Sequence, residues 1–230
     1  MIDWSRRHPG PELMDRDDIP NEDLFQNYRE LHFINQRLGG YRITLKGISG
    51  LIHDPQKEYS ILDVGCGGGN MLIQIGKWGR KKKFRFQLSG LDKSDAAIQY
   101  AQKQAPSLEW IREDVFEYLN SGKKFDIITC TLFMHHFSDE KISRLLMLMK
   151  SAARAGIVIN DLQRHPLAYY NIMWLTKLFS KSYLVKNDAP LSVLRGFKAN
   201  EWEKIAGNAG IRFTVFNWAW AFRHLIVIRL

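Results

Sequence analysis

The chain has 230 residues, 45% hydrophobic and 25% charged, a balance that excludes a disordered or fibrous protein and suits one domain with a sizeable core. A formal net charge of +9 fits nucleic acid, an anionic membrane or an acidic substrate as readily as a plain solvated surface, so charge alone assigns nothing. Cys66 and Cys130 have neither metal-ligand spacing nor the count of a disulfide framework, so free thiols and no metal are expected; Met1 to Asp18 lacks an apolar export core, which predicts a cytoplasmic protein.

In chain order, residues 21–52 read as amphipathic helices broken at Gly39-Gly40. From Tyr59 onward strands and helices alternate, the pattern of a mostly parallel sheet covered by helices. Tyr59 to Val64 is a buried strand, and Asn70 to Trp78 a helix that begins inside a glycine turn. Phe84 to Leu91 is the second strand, followed by a helix from Ala96 to Gln104 capped by Ser94 or Asp95. A short third strand, Leu108 to Arg112, precedes one helical turn ending near Leu119. Phe125 to Thr131 is the fourth strand, Ser138 and Asp139 open a helix reaching Ala153, and Gly156 to Asn160 is the fifth. An aromatic-rich stretch, Pro166 to Leu194, reads as an insertion over the sheet edge, followed by a helix around Asn200 to Asn208. Ile211 to Leu230 leaves no room for a crossover helix and predicts an antiparallel hairpin. The expected whole is a doubly wound α/β domain over 1–230: a helical cap (1–55), a core (56–161), a helical lid (162–198), and a terminal helix with hairpin (199–230).

Ile61-Leu62-Asp63-Val64-Gly65-Cys66-Gly67-Gly68-Gly69-Asn70 carries the chemistry, because a strand running into dense glycine lets the backbone approach a ligand without a Cβ in the way. No Gly-x4-Gly-Lys-Ser/Thr spacing follows, which excludes a phosphate loop. Asn70 stands where a dinucleotide fingerprint has its third glycine, which disfavours a nicotinamide oxidoreductase. What remains is Asp63-x-Gly65-x-Gly67-x-Gly69, with Asp92 ending strand two and Asp114 just after strand three.

This combination resembles the class I S-adenosylmethionine-dependent methyltransferases over Tyr59 to Asn160 and the terminal hairpin. The resemblance implies their Rossmann-like fold, with a seven-stranded, mostly parallel sheet ending in an antiparallel hairpin, and S-adenosylmethionine as cofactor. It implies that Gly65, Cys66, Gly67 and Gly69 line the methionine and ribose and that Asp92, with Lys93 beside it, accepts the ribose hydroxyls. It places Asp114 and Val115 at the adenine, while Asp63 and Thr131, at the ends of strands one and four, complete the set. A ribose diol offering two donors to one carboxylate suits such a role.

Methyl transfer is an in-line displacement, so the acceptor half must aim an atom and, for a hydroxyl, remove a proton. The loop after strand four, Thr131-Leu132-Phe133-Met134-His135-His136-Phe137, lacks the Asn or Asp-Pro-Pro-Tyr motif of amino-methylating nucleic acid enzymes and resembles small-molecule O- and C-methyltransferases. His135 or His136 is a candidate general base, or else a helix cap; His165 is a further candidate base. Asp161, Arg164, Phe133, Tyr169 and Met173 are candidate acceptor contacts, Asp161 being equally suited to capping. Asn35-Gln36-Arg37-Leu38-Gly39-Gly40 resembles a segment that precedes the core in many bacterial methyltransferases and is expected to close over the cofactor.

Arg80-Lys81-Lys82-Lys83 falls at the amino end of strand two, away from a site at the carboxyl ends, which disfavours an RNA substrate. Lys177 and Lys181 near the lid allow at most transient contact with an anionic membrane. The expected protein is an enzyme methylating a hydroxyl of a small aromatic or lipophilic acceptor, in the manner of secondary metabolism. An RNA methyltransferase, an oxidoreductase and a non-catalytic cofactor-binding protein are the alternatives.

Overall fold

A computed structural model describes residues 2–16 and 18–230. The apolar runs form one seven-stranded sheet, β1 (Glu58–Val64), β2 (Arg85–Asp92), β3 (Glu109–Arg112), β4 (Phe125–Thr131), β5 (Ala153–Leu162), β6 (Val215–Ala219) and β7 (Arg223–Arg229), in the order β3-β2-β1-β4-β5-β7-β6. β1 to β5 pair in parallel, and β7 runs antiparallel to both β5 and β6. The strand order reverses between β1 and β4, and the crevice beyond the carboxyl ends there is where such sheets take ligands. β1, β4 and β5 are buried along most of their length because helices cover both of their faces.

Those helices are α1 (Asn21–Arg37), α2 (Gly40–Ser49), α3 (Asn70–Lys82), α4 (Asp95–Gln104), α5 (Val115–Asn120), α6 (Asp139–Ala152), α7 (Pro166–Phe179), α8 (Tyr183–Arg195) and α9 (Ala199–Asn208). One face of the sheet packs on α5, α6 and α9 around Ile128, Ile157, Met149 and Trp202. The opposite face packs on α2 and α3 around Ile48, Ile61, Leu72 and Val158. Ser94, Asp114 and Ser138 each accept backbone N–H groups at the starts of α4, α5 and α6, satisfying donors the helix cannot pair internally. Among the described residues, no helix is long and apolar enough to cross a membrane.

Three elements differ from the sequence expectation. α3 extends to Lys82, so Arg80, Lys81 and Lys82 lie in its last turn, where cations oppose the carbonyl end of the helix dipole, and Lys83 caps it with φ +63°. β5 is ten residues long, continuing two residues past Asn160, because β7 supplies a full antiparallel partner through Leu162. The segment before α1 is a strap, with a single 3-10 turn over Leu13–Asp15, that crosses the carboxyl edge of the sheet. Arg7 anchors the strap by donating to the His135 and Phe137 carbonyls at 3.0 and 2.8 Å and to Asp139 Oδ1 at 2.8 Å. Asp188 on α8 accepts the Leu13 and Met14 amides at 2.8 and 3.0 Å.

Candidate active site

At the carboxyl ends of β1, β2, β3 and β4 lies a cavity of about 1200 Å³ that extends under α1, α7 and the β6–β7 turn. A small-molecule pocket usually takes ~300–1,000 Å³, so this one has room for a cofactor and a second ligand together. One half is the glycine turn. Gly65 and Gly67 have φ of +65° and +51°, a backbone that side chains resist. A Cβ on Gly65 would lie 2.2 Å from the Phe133 ring, whereas nothing among the described residues stands within 4 Å of the corresponding position at Gly67. The loop is held open by Asp92, whose Oδ2 accepts the Gly67 amide and Oδ1 the Ser94 amide, both at 2.9 Å. Burial raises the pKa of Asp92, against the pull of those two amides.

Asp63 is fully buried, accepts one hydrogen bond from Thr129 Oγ1 at 2.6 Å, and is pushed up to about 7 by burial. A buried carboxyl with one partner, bordering the cavity next to an uncovered glycine amide turn, suits a ligand bearing an ammonium group. Asp114 uses Oδ1 to cap α5, which leaves Oδ2 free at the cavity wall. These residues therefore fit S-adenosylmethionine: its amino acid portion at Asp63 and the glycine amides, ribose at Asp92, adenine beside Asp114 and Val115.

Of the residues anticipated for the cofactor, Asp63, Gly65, Cys66, Gly67, Asp92, Lys93, Asp114, Val115 and Thr131 all line the cavity. Gly69 does not. Its absent Cβ makes room for the Trp110 ring, which such an atom would meet at 2.3 Å, so Gly69 serves the packing of α3 on the sheet. Thr131 shares a 3.0 Å hydroxyl contact with Thr44 of α2.

The histidines separate sharply. His135 is buried, with Nδ1 2.7 Å from Asp161 Oδ1 and Nε2 3.4 Å from Glu12 Oε1. Burial alone would depress its pKa, but Asp161 and Glu12 overcome that and raise it to about 9, so His135 is a positively charged strut at neutral pH. The same pairing holds Asp161 and Glu12 below their usual range despite burial. His136 is half-buried in the cavity wall, its Nδ1 3.1 Å from Asp15 Oδ2 and its Nε2 3.9 Å from Glu12. His165 caps α7 by accepting the Leu167 amide at 3.1 Å and stacks on Phe222, which places it outside the cavity lining.

The acceptor contacts are redistributed too. Phe133 lines the cavity, but Asp161 is committed to His135, and Arg164 is buried against Glu201 at 2.6 Å and the Gly196 carbonyl. Tyr169 packs edge-on against Trp4 and Tyr170, and Met173 lies outside the cavity; α7 instead presents Ala168, Asn171, Ile172 and Leu175 to it. Trp218 of β6 and Trp220 and Phe222 of the β6–β7 turn stand at the rim, and Ala221 and Phe222 both have positive φ. Asn35 and Leu38 border the acceptor half, and the Gly40 carbonyl accepts from Asn160, so the segment around Gly39-Gly40 sits over β5 and β7 rather than over the glycine turn. Glu12 and Asp15 are residues that sequence reasoning missed; two acids three positions apart in an irregular strap carry no periodic signal.

Residues 61–156 match a family model described as "Methyltransferase domain". The chain is 26% identical to a ubiquinone biosynthesis O-methyltransferase of Coxiella burnetii, over 75% of this chain and 73% of that protein. It is 31% identical to one of Albidiferax ferrireducens over 51% of this chain and 43% of the relative. Among solved structures it superimposes on a plantazolicin methyltransferase in complex with SAH, with TM-score 0.66, 19% identity, and 93% and 91% of the two chains covered. It also superimposes on the magnesium protoporphyrin IX methyltransferase of Synechocystis PCC 6803, with TM-score 0.57, 17% identity and 84% of each chain covered. At those identities the structural likenesses speak to the fold.

Proposed function

Since the chain belongs to the class I S-adenosylmethionine-dependent methyltransferases, we propose that it methylates a hydroxyl oxygen of a small aromatic or lipophilic acceptor, with His136 as the general base. The observation that carries this reading is the contrast between neighbouring imidazoles in one loop. His135 has both nitrogens engaged by carboxylates. His136 has Nδ1 3.1 Å from Asp15 Oδ2, while its Nε2 stands 3.9 Å from Glu12, beyond hydrogen-bond distance, in a side chain that lines the cavity and so can take up a proton there.

S-adenosylmethionine, when bound, supplies a methyl group activated on a sulfonium. The chain's own residues do the rest. Asp92, one oxygen of which the Gly67 amide orients, anchors the ribose end, Phe133 and the α7 face hold the acceptor ring, and Trp218 and Trp220 limit the entry of water. His136 Nε2 takes the hydroxyl proton, and Asp15 stabilises the imidazolium that results. The relatives named as ubiquinone biosynthesis O-methyltransferases support an oxygen acceptor. Arg80 to Lys83 are exposed at the far end of α3, which favours the small-molecule reading over RNA.

Incubation with methyl-labelled S-adenosylmethionine and a panel of phenols, catechols and quinols tests the proposal. Label is expected on oxygen, and His136→Ala is expected to lower kcat by about a hundredfold or more while leaving affinity for S-adenosylhomocysteine unchanged. Full turnover in His136→Ala would remove the base assignment, and label confined to nitrogen or RNA would remove the acceptor class.

A further inference from the structure

Arg223, at the start of β7, lines the acceptor half of the cavity yet is only 3% exposed. Its Nη2 donates to Asn35 Oδ1 at 2.6 Å, while among the described residues Nε and Nη1 have no partner. The acid that acts on it most, Asp161, forms no ion pair with it: Oδ1 is committed to His135 and to the Leu162 amide, and Oδ2 has no partner among the described residues. Burial lowers the guanidinium's pKa to about 10, so it remains a cation at neutral pH. A second positive feature faces it. α2 begins at Gly40, whose absent Cβ would lie 3.1 Å from Arg223 Cζ and 2.9 Å from Asn35 Oδ1, so the guanidinium packs against the amide end of that helix. A buried cation with unmade hydrogen bonds has lost its hydration without full replacement, which an anion brought by a ligand would supply.

Resting on the reading of this cavity as the acceptor site, we infer that Arg223, with Asn35 and the α2 amino terminus, binds a carboxylate carried by the acceptor. The substrate class is thereby a hydroxylated aromatic acid whose ring lies between Phe133 and the α7 face and whose acid group reaches β7. Tyr41 and His32, joined at 2.8 Å, form the adjacent wall. The arrangement accounts for the Asn35 to Gly40 segment: Asn35 orients the guanidinium, and Gly40 leaves room for it. Charge-assisted hydrogen bonds to a carboxylate favour the acid over its neutral amide by about ten- to a hundredfold.

The test is calorimetric titration of the protein, saturated with S-adenosylhomocysteine, with salicylate, protocatechuate and caffeate, each against its amide. The expected result is that at least one acid binds about tenfold or more tightly than its amide. Arg223→Gln is expected to abolish that preference, and Gly40→Ala, which crowds the guanidinium while keeping an ordinary helical backbone, to reduce it. Should Arg223→Gln not fold, Gly40→Ala and the wild-type ratio decide. Equal binding of every acid and its amide to the wild type, a preference that survives in Arg223→Gln, or one left undiminished in Gly40→Ala overturns the inference. The methyltransferase reading is judged separately, by S-adenosylhomocysteine binding in the same cell and by label transfer to phenols.

Discussion

Asp161→Ala is expected to lower folding stability by about 3–5 kcal/mol, the range for removing one partner of a buried ion pair. The carboxylate holds Nδ1 of a fully buried His135 at 2.7 Å and the Leu162 amide at 2.8 Å, and the variant leaves both donors unmatched. The pH dependence follows from the sign of each shift. His135 rises from 6.5 to about 9 on folding, so its contribution is fully present below pH 6.5 and is lost as pH climbs through 9. Asp161 and Glu12 are depressed, so theirs is present above the ordinary carboxylate range and is lost in acid. Urea unfolding across this range should show the wild type losing stability at alkaline pH and the variant losing much less there. A deficit below ~1 kcal/mol at neutral pH would mean that the strut carries little.

Gly65→Ala is the second large effect. A Cβ there meets the Phe133 ring at 2.2 Å on a backbone with φ +65°, so conformational strain adds to an overlap that only displacement of the ring relieves. Together these are expected to cost about 2–4 kcal/mol of stability and to push Phe133 into the ligand space. Gly67→Ala is the matched control, since its φ of +51° is similar but nothing among the described residues lies within 4 Å of the new atom. Thermal unfolding of the pair isolates the overlap: Gly65→Ala should melt lower than Gly67→Ala, and equal midpoints would contradict the packing of Phe133 on the glycine turn.

The cofactor half was legible in the sequence because it is local. Asp63, the glycines, Asp92 and Asp114 fall at strand ends that hydrophobic periodicity locates, and Ser94, Asp114 and Ser138 mark helix starts through cap chemistry. The acceptor half was less legible because its geometry depends on distant partners. His135 and His136 are adjacent and chemically alike, and their roles separate only because Glu12 and Asp15 approach from a strap over a hundred residues away in the chain. On α7, apolar residues on every side hide the helix phase, so Tyr169 and Met173 were indistinguishable in advance from Ile172 and Leu175, which meet the cavity. The sequence offered no reason to look at Arg223, since a basic residue at a strand start is ordinary until its burial and, among the described residues, its unpartnered nitrogens are seen.

The central claim is that the glycine turn and Asp92 form the S-adenosylmethionine site, and side-by-side calorimetric titration of the wild type and Asp92→Ala with S-adenosylhomocysteine tests it most directly. The wild type should bind with one-to-one stoichiometry. The variant should lose about 1.5–3 kcal/mol, or about ten- to a hundredfold in Kd, because both the hydrogen bonds to ribose and the tether on the Gly67 amide are gone. No binding to the wild type, or the same Kd for both proteins, would contradict the account.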